Sequence, residues 1–496
     1  MSDLVLAIDQ GTTGSTIALM DASGRLLTSV NHEFPQIFPQ PGWVEHDPES
    51  IWESVEKGFS AVFADGTYEA ADVSAIGITN QRETAVLWDA ETGKAVHNAI
   101  VWQCRRTTDV CEKLKAEGQG ALIKARSGLV LDPYFSATKF KWLLDNGADA
   151  QALLDQGRLR AGTIDSYLIW RLSAGQAHKT DVSNASRTSL MSLENLSWDD
   201  ELLSIFGVPR AILPEICPSS GRFAVTSGVA GLPDDIPISG VAGDQQSALF
   251  GQACFGVGDA KCTFGTGSFI LMNAGDTPVV SNSGLLSTVA WQLEGQSAVY
   301  ALEGGAFVCG AAVQWLRDQL GIIQNAPDVE ALAQTVDDAG GVEFVPALAG
   351  LGAPYWAPEA RGTLTGLTRG SGRGEIARAT LDAMALQNAD ILNAMEKDIG
   401  GRMQSLKVDG GASANNFLMQ LQADYLDRPI TRPEVIETTV AGACFLAGLG
   451  EGVWSSPDEV AKVWRSDRTF DVVITDDDRA TRFASWQAAV AKTLLS

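Results

Sequence analysis

Apolar runs separated by short polar turns mark the beginning of the chain. Residues 4–8 are apolar, a turn rich in glycine and threonine follows at 9–14, and apolar positions resume at 16–20. A second turn leads into a third run at 25–30. This pattern predicts three strands connected by tight turns.

A helix and a further strand are predicted next. Asp47 is a suitable N-cap, Pro48 suits the first helical position, and apolar side chains then recur with helical spacing. Residues 73–78 are apolar enough for a buried strand, which ends in the polar cluster 80–83. The apolar face of the helix consists of Ile51, Trp52, Val55, Phe59 and Val62.

The second half of the chain repeats this order of elements. Strands are predicted at 260–264, 269–272, 287–293 and 298–302, with the turn Gly265-Thr266-Gly267-Ser268 after the first of them and a helix containing Val308, Ala312, Trp315 and Leu316 after the last. The repetition favours two similar α/β domains on either side of a cleft. Unrelated glycine hairpins in one large α/β protein would give the same pattern.

Length and charge restrict the class of protein. A chain of 496 residues predicts two or more domains. We expect the junction near residues 249–258, which are small and rich in glycine. The net charge of −25 would repel phosphate backbones and anionic lipid headgroups, which argues against nucleic-acid and membrane-surface partners. A short acidic run at 476–478 is predicted to be a solvated loop.

The sequence also favours a cytoplasmic protein. No apolar run is long enough for a membrane span, and the first residues lack the basic segment of a signal peptide. Seven cysteines, an odd number without a close CxxC pair, argue against a disulfide framework or a zinc ribbon. Four scattered histidines without an HExxH motif argue against histidine-based metal hydrolysis.

Phosphate groups would have to be held without the common phosphate-binding loops. Neither GxxxxGK[ST] nor GxGxxG occurs in the sequence. The turns at 11–14 and 265–268 can instead point backbone N–H groups and threonine hydroxyls into a concavity. Residues 406–416 predict a strand, a double-glycine turn and the start of a helix, whose N-terminus carries free N–H groups. Each motif by itself is also compatible with an ordinary turn.

Two aspartates stand at the ends of predicted strands. Asp9 precedes the first Gly/Thr turn, where a carboxylate can hold Mg²⁺ beside phosphates. Asp244 follows an apolar strand where a helix begins, and it could accept a hydroxyl proton during phosphoryl transfer. Roles as a turn cap for Asp9 and a helix N-cap for Asp244 are the structural alternatives.

Several longer segments together resemble the FGGY family of carbohydrate kinases, and within it the members that phosphorylate glycerol. They occur in the same order through nearly the whole chain. The segments are DQGTTG at 9–14, PGWVEHDPESIW at 41–52, ITNQRET at 78–84, IVWQCRRT at 100–107, DPYFSATK at 132–139, GDQQSALFGQ at 243–252, FGTGSF at 264–269, EGGAFVCGAAVQWLRD at 303–318 and DGGASANNFLMQ at 409–420.

The resemblance implies two ribonuclease-H-like domains of the actin/hexokinase type around a cleft, at 1–250 and 251–496. It implies transfer of phosphate from ATP to glycerol, giving sn-glycerol 3-phosphate, with Asp244 as the base and Asp9 beside Mg²⁺. Domain closure would exclude water from the reaction. Association as a homodimer or a homotetramer stays open. The implied nucleotide-binding residues are Thr12, Thr13, Gly14, Thr266, Gly310, Gln314, Gly411 and Asn415. The implied glycerol-binding residues are Thr12, Arg82, Glu83, Trp102, Tyr134, Asp244, Gln245 and Phe269.

The sequence departs from the family pattern at two places. Thr16 stands where the family usually has arginine, so we expect weaker nucleotide binding. The loop GVAGLPDD at 228–235 contains two aspartates where the members inhibited by fructose 1,6-bisphosphate have basic residues, so we expect no such inhibition through this loop.

Three alternative functions are compatible with the same motifs. A sibling kinase would act on erythritol, xylulose or gluconate with the same catalytic parts. An actin-like or chaperone-like ATPase would produce ADP without a polyol and would leave Arg82, Glu83 and Tyr134 without a task. A degenerate nucleotide-binding regulator would agree with Thr16 but not with Asp9 and Asp244.

Overall fold

The computed structural model describes residues 4–403 and 406–495. Two mixed β-sheets form its framework, one of six strands and one of seven. Each sheet takes its strands from a different half of the chain, and helices cover the sheet faces. The predicted α/β architecture with a repeated unit is therefore confirmed.

The elements of the first half agree closely with the sequence pattern. Its helices are α1 (Pro48–Val62), α2 (Thr108–Ala116), α3 (Gly120–Ser127), α4 (Ser136–Asn146), α5 (Ala150–Asp155), α6 (Ile164–Leu172), α7 (Val182–Ala185), α8 (Asp200–Phe206) and α9 (Asp244–Gly251). Its strands are β1 (Leu4–Gln10), β2 (Gly14–Met20), β3 (Leu26–Glu33), β4 (Glu45–His46), β5 (Val73–Asn80), β6 (Val86–Asp89), β7 (Ala99–Ile100), β8 (Leu159–Gly162), β9 (Lys179–Asp181), β10 (Met191–Ser192), β11 (Ser197–Trp198), β12 (Glu215–Cys217), β13 (Ser220–Val225) and β14 (Pro237–Gly243).

The second half contains the other large sheet. Its helices are α10 (Gly310–Asp318), α11 (Asp328–Ala333), α12 (Arg373–Ile399), α13 (Asn416–Leu426), α14 (Thr438–Gly450), α15 (Pro457–Val463) and α16 (Asp476–Leu495). Its strands are β15 (Ala260–Phe264), β16 (Ser268–Gly275), β17 (Leu286–Trp291), β18 (Val299–Ala306), β19 (Glu343–Val345), β20 (Thr363–Thr365), β21 (Leu406–Asp409), β22 (Ile430–Pro433) and β23 (Ser466–Phe470).

The two sheets have matching topology. The first has the order β13-β14-β5-β1-β2-β3, with β2 antiparallel to β1 and β3, and with β5 and β14 parallel to β1. The second has the order β17-β18-β16-β15-β21-β22-β23, with β16 antiparallel to its neighbours and β21 and β22 parallel to β15. An antiparallel strand closes the parallel edge of both sheets. The duplication predicted from the sequence is thus present in the sheet pairing.

Two local predictions from the sequence are wrong. The four strands predicted between 260 and 302 were expected to form a meander that pairs in chain order, but β16 pairs with β18 and leaves β17 at the sheet edge. The segment 276–285 between β16 and β17 is long enough for this crossing, whereas β17 and β18 form a hairpin. The acidic run 476–478 is exposed but is not a loop, since it forms the first turn of α16. Carboxylates are favourable there because the N-terminus of a helix carries a partial positive charge.

Helix α14 connects the two halves. It follows the second sheet in the chain, yet it packs on α9 and on strands of the first sheet, and its Phe445 shares a buried apolar cluster with Val5 and Phe250. A Cβ on Gly77 of β5 would lie only 2.1 Å from the carbonyl oxygen of Ala443, so the strand and the helix touch through backbone atoms. The division into domains at residue 250 stays a prediction, because α14 follows this residue in the chain but packs on elements that precede it.

None of the described helices is both long and apolar enough to span a bilayer.

Candidate active site

The first Gly/Thr turn connects β1 to β2 at the centre of the first sheet. The N–H of Gly11 donates to the carbonyl oxygen of Gly14 at 2.9 Å, which closes the turn. A Cβ on Gly14 would lie 2.9 Å from the carbonyl oxygen of His32, so the turn requires glycine at this position. Thr13 is exposed and Thr12 is half-buried, which leaves their polar groups accessible to a ligand.

The second Gly/Thr turn is supported by the start of α10. The N–H groups of Gly310 and Ala311 donate to the carbonyl oxygens of Gly265 and Thr266 at 2.9 and 3.0 Å. A side chain at Gly310 would collide with the turn, because its Cβ would lie 2.7 Å from the carbonyl oxygen of Gly265. Thr266 is exposed, and so is Gln314 one turn along the helix. Gly310 therefore shapes this turn, while Thr266 and Gln314 offer polar groups to solvent.

The double-glycine segment after β21 does not lead directly into a helix. A short 3-10 turn occupies Gly411–Ala414 before α13 begins. Two of the N–H groups that we expected to be free are bonded: that of Leu418 to the side chain of Asn415 and that of Phe417 to the carboxylate of Glu330. Gly411 is exposed, with open space where a Cβ would stand. The backbone can be approached closely there, and the Asn415 side chain acts as the helix cap.

Three aromatic rings form an apolar wall next to the first turn. The Trp102 ring lies 5.6 Å from the ring of Tyr134 and 6.4 Å from that of Phe269, both edge to face. Phe269 belongs to β16, so the wall is built from both halves of the chain. The indole N–H of Trp102 donates to the hydroxyl of Thr12 at 3.0 Å. This hydrogen bond joins the wall to the Gly/Thr turn.

Arg82 lies behind this wall and is almost completely buried. Its Nε is 3.2 Å from Oδ1 of Asp244. Its Nη1 donates to Gln246 and Glu303. Its Nη2 donates to Glu303 and, at 3.3 Å, to the hydroxyl of Tyr134. The two terminal nitrogens thus make four hydrogen bonds to protein acceptors, while Nε forms an ion pair with Asp244. The family resemblance implies that Arg82 binds the acceptor alcohol, but its terminal nitrogens are already bonded to protein groups and would have to release one contact to donate to a ligand.

Glu83 stands in a backbone conformation that side chains rarely adopt, with φ at +61°. Such strain persists only where the surrounding contacts hold it. One carboxylate oxygen accepts a hydrogen bond from Nε of Arg187 at 2.7 Å, and no described residue donates to the other. Burial raises the pKa of Glu83, although Arg82 and Arg187 counteract this. The second oxygen of Glu83 is the free acceptor of the site.

Asp244 is the first residue of α9, and Gly243 is the N-cap. The helix-capping role considered for Asp244 is therefore wrong. Its side chain is one-third exposed, unlike those of Arg82 and Glu83, so it faces the open space of the site. The neighbouring Gln245 is oriented by Nζ of the buried Lys261, which donates to its amide oxygen and to the Thr263 hydroxyl.

Asp9 lies at the end of β1, half-buried beside the Gly/Thr turn. Burial and the nearby Asp244 carboxylate raise the pKa of Asp9 to about 7. Within the described part of the chain, no group of three or more histidine, cysteine or acidic side chains could hold a metal ion. Mg²⁺, however, is usually held by one or two carboxylates together with phosphates and water. A divalent cation would relieve the repulsion between Asp9 and Asp244, so the site fits Mg²⁺ that arrives with a nucleotide.

Two residues of this site, Arg187 and Glu303, are not among those predicted from the sequence. Both are buried, and both contact Arg82 or Glu83. The sequence contains a hint of the role of Glu303. This charged residue directly follows the apolar strand predicted at 298–302, and it begins the segment 303–318 that resembles the family. A buried carboxylate needs a partner, but its partners are distant in sequence.

Comparison with known proteins identifies relatives over the whole chain. Profiles described as the FGGY family of carbohydrate kinases match residues 4–251 with the N-terminal domain and 260–451 with the C-terminal domain. A Bdellovibrio bacteriovorus protein named glycerol kinase is 57% identical over 492 residues, 99% of each chain. A glycerol kinase of Symbiobacterium thermophilum is 55% identical over 488 residues, 98% of each chain. The crystal structure of Plasmodium falciparum glycerol kinase with ADP superposes with a TM-score of 0.94 at 34% identity, covering 100% of this chain and 99% of that one.

Proposed function

Because the chain belongs to the FGGY family of carbohydrate kinases, we propose that it transfers the γ-phosphoryl group of ATP to glycerol, giving ADP and sn-glycerol 3-phosphate. The observation that carries the proposal is that Asp244, Glu83 and Tyr134 lie together around Arg82. The hydrogen bond from Trp102 to Thr12 connects this group to the first Gly/Thr turn. The names of the relatives agree with this substrate.

The acceptor site suits a small molecule with adjacent hydroxyls. The Trp102 and Phe269 rings cover the carbon chain, and the free oxygen of Glu83 accepts from one hydroxyl. The Gln245 amide supplies a donor at the same place, and Arg82 supplies another when it releases its contact with the Tyr134 hydroxyl. A substrate that lacks a hydroxyl leaves buried polar groups unpaired, at a cost of about 1–3 kcal/mol for each group. The site therefore selects for the full set of hydroxyls.

Nucleotide phosphates lie between uncharged groups in this proposal. The N–H groups and hydroxyls of the turns at Thr12, Thr13, Gly14 and Thr266 contact the phosphates. Gly310 and Gln314 of α10, with Gly411 and Asn415 beyond β21, complete the nucleotide site. Neutral donors suit a chain whose net charge of −25 would oppose triphosphate binding at long range.

Asp244 acts as the general base. Its carboxylate faces the site and accepts the proton of the attacking hydroxyl as the O–P bond forms. The Arg82 guanidinium fixes the direction of this carboxylate, which contributes to alignment of the hydroxyl with the γ-phosphorus. Asp9 would hold Mg²⁺, which would supply positive charge to offset that of the phosphate groups.

We further propose that the protein works in the cytoplasm. All seven cysteines carry free thiols, and six of them are buried. A reducing compartment keeps such thiols reduced.

A coupled ADP-release assay tests the function. Purified protein is given Mg-ATP with glycerol, with erythritol, xylulose or gluconate, or with no polyol. We expect rapid ADP formation with glycerol only, and sn-glycerol 3-phosphate as the product in a stereospecific dehydrogenase assay.

Two results would contradict the proposal in different ways. A preference for xylulose or gluconate would identify a sibling kinase with a different acceptor pocket. ADP formation at the same rate without any polyol would identify an ATPase.

A further inference from the structure

A buried network of ionic side chains connects the two halves of the chain behind the acceptor site. Glu303, on β18 of the second sheet, accepts hydrogen bonds from Arg82 through both of its carboxylate oxygens. It also accepts from Arg187 at 2.9 Å. Arg187 in turn donates to Glu83 at 2.7 Å. Each of these four side chains is at least 97% buried.

The charges of this network balance only when all four groups are present. Two guanidinium groups face two carboxylates, and removal of one partner would leave an uncompensated buried charge. Although burial opposes ionisation of Glu303, Arg187 and Arg82 hold its pKa below the ordinary value. Glu303 is therefore an ionised carboxylate. Arg82 and Arg187 would repel each other, and they can lie close together because the negative charge of Glu303 lies between them.

The network fixes the two groups that face the acceptor. Arg82 is held by its hydrogen bonds to Glu303, and its Nε lies 3.2 Å from Oδ1 of Asp244. Arg187 fixes the carboxylate of Glu83 through its Nε, and the backbone of Glu83 has φ at +61°. One terminal nitrogen of Arg187, Nη1, is buried and has no acceptor among the described residues.

Glu303 also ties the acceptor site to the position of the second sheet. Residues of β18 pair with β16, where Gly305 stands opposite Phe269 of the aromatic wall. The same strand thus supports the wall and supplies the carboxylate that organises Arg82. Movement of the second sheet away from the first would separate Glu303 from both arginines.

We propose that Glu303 and Arg187 are positioning residues for the acceptor alcohol, Glu303 by orienting Arg82 and with it Asp244, and Arg187 by orienting Glu83. Neither residue is assigned contact with the reacting atoms. This inference rests on the proposed phosphoryl transfer to glycerol, and it adds that the acceptor site is complete only when the second sheet is docked on the first.

The test measures kcat and the KM of glycerol and of ATP separately in three variants. Glu303→Gln keeps the shape but removes the charge, and we expect a 10- to 1000-fold loss of kcat/KM for glycerol, with the KM of ATP within threefold of wild type. Glu303→Asp keeps the charge and should recover at least tenfold of that loss. Arg187→Lys keeps its charge but loses the forked contact, and the KM of glycerol should rise at least tenfold.

Glu343→Gln is the matched control. Glu343 is also a buried carboxylate of the second half that accepts from an arginine, Arg482, at 2.8 Å, but it has no contact with the acceptor site. We expect its kinetic constants to equal those of wild type even if its melting temperature falls. If the role of Glu303 were purely structural, Glu303→Gln would likewise lower the melting temperature and leave the kinetic constants unchanged.

The proposal is overturned if folded Glu303→Gln retains wild-type kcat/KM for glycerol, or if the KM of ATP rises as much as that of glycerol. It is also overturned if neither Glu303→Gln nor Arg187→Lys folds, since the network would then serve stability. Failure of the proposed function looks different, because wild-type protein would then show no glycerol-dependent ADP formation.

Discussion

Substitution of one glycine in α14 should damage both stability and catalysis. A Cβ on Gly442 would lie 1.8 Å from the backbone carbonyl oxygen of Ser247 in α9, where Cβ atoms do not come closer than about 3.0 Å. The obstacle is backbone, so no side chain can rotate away. Gly442→Ala therefore forces α14 and α9 apart by more than 1 Å.

Two opposing effects determine the size of the stability change. Alanine in the interior of a helix is favoured over glycine by about 1 kcal/mol. Overpacking of a well-filled contact costs about 1–3 kcal/mol, and a clash with rigid backbone belongs at the upper end. The net expectation is a loss of about 2 kcal/mol, seen as a melting temperature lower by about 2–5 °C.

The same displacement should affect turnover. Asp244 and Ser247 lie in the same turn of α9, so a shift of this helix moves the base relative to the acceptor. A misplacement of about 1 Å can cost about 100-fold in rate. We therefore expect kcat to fall at least tenfold in folded Gly442→Ala.

Thermal denaturation and the ADP-release assay are run beside Gly120→Ala as control. Gly120 is also helical, but nothing lies within 4 Å of the position of its Cβ. The control should match wild type in kcat and be at least as stable. If Gly442→Ala were as stable and as active as the control, the close contact between α14 and α9 would not be the connection that fixes the two halves.

Three further predictions concern single residues of the site and its support. Asp244→Asn should bind ADP as wild type does in calorimetry but lose about 10²- to 10⁴-fold in kcat; near wild-type turnover would remove Asp244 as the base. Thr16→Arg should lower the KM of ATP, because the guanidinium would stand opposite Asp9 in the β1–β2 ladder near the phosphates; an unchanged or higher KM speaks against this. Burial lowers the pKa of His46 from 6.5 to about 4. Between these two pH values the unfolded chain binds a proton at His46 that the folded chain does not. The free energy of unfolding should therefore fall by about 3 kcal/mol between pH 6.5 and pH 4. His46→Gln should flatten this dependence in urea titrations, and an unaltered slope would exclude the histidine as its source.

Much of the local structure follows from the sequence because its causes are local. The cap at Asp47 is observed, with its side chain accepting from the N–H of Glu49, and the apolar positions of α1 are buried as the spacing predicts. Both Gly/Thr turns lie where the alternation of apolar and polar residues places them. The acidic start of α16 does not follow from the sequence, because three aspartates are equally compatible with a loop and with a helix N-terminus.

The candidate site could be predicted only as far as motifs extend along the chain. NQRET indicated Arg82 and Glu83 but not that Arg82 already contacts Asp244, Gln246, Glu303 and Tyr134. Glu303 is separated from Arg82 by 221 positions. No spacing rule covers such a distance.

The amino-acid sequence by itself determined the strand and helix pattern, the repeated Gly/Thr turns and the family to which they belong, since each depends on residues close together in the chain. Tertiary structure decided which charges meet. Burial of two arginines between carboxylates from different sheets is stable only when the sheets are docked, so the free acceptor on Glu83 and the orientation of Asp244 are properties of the assembled fold.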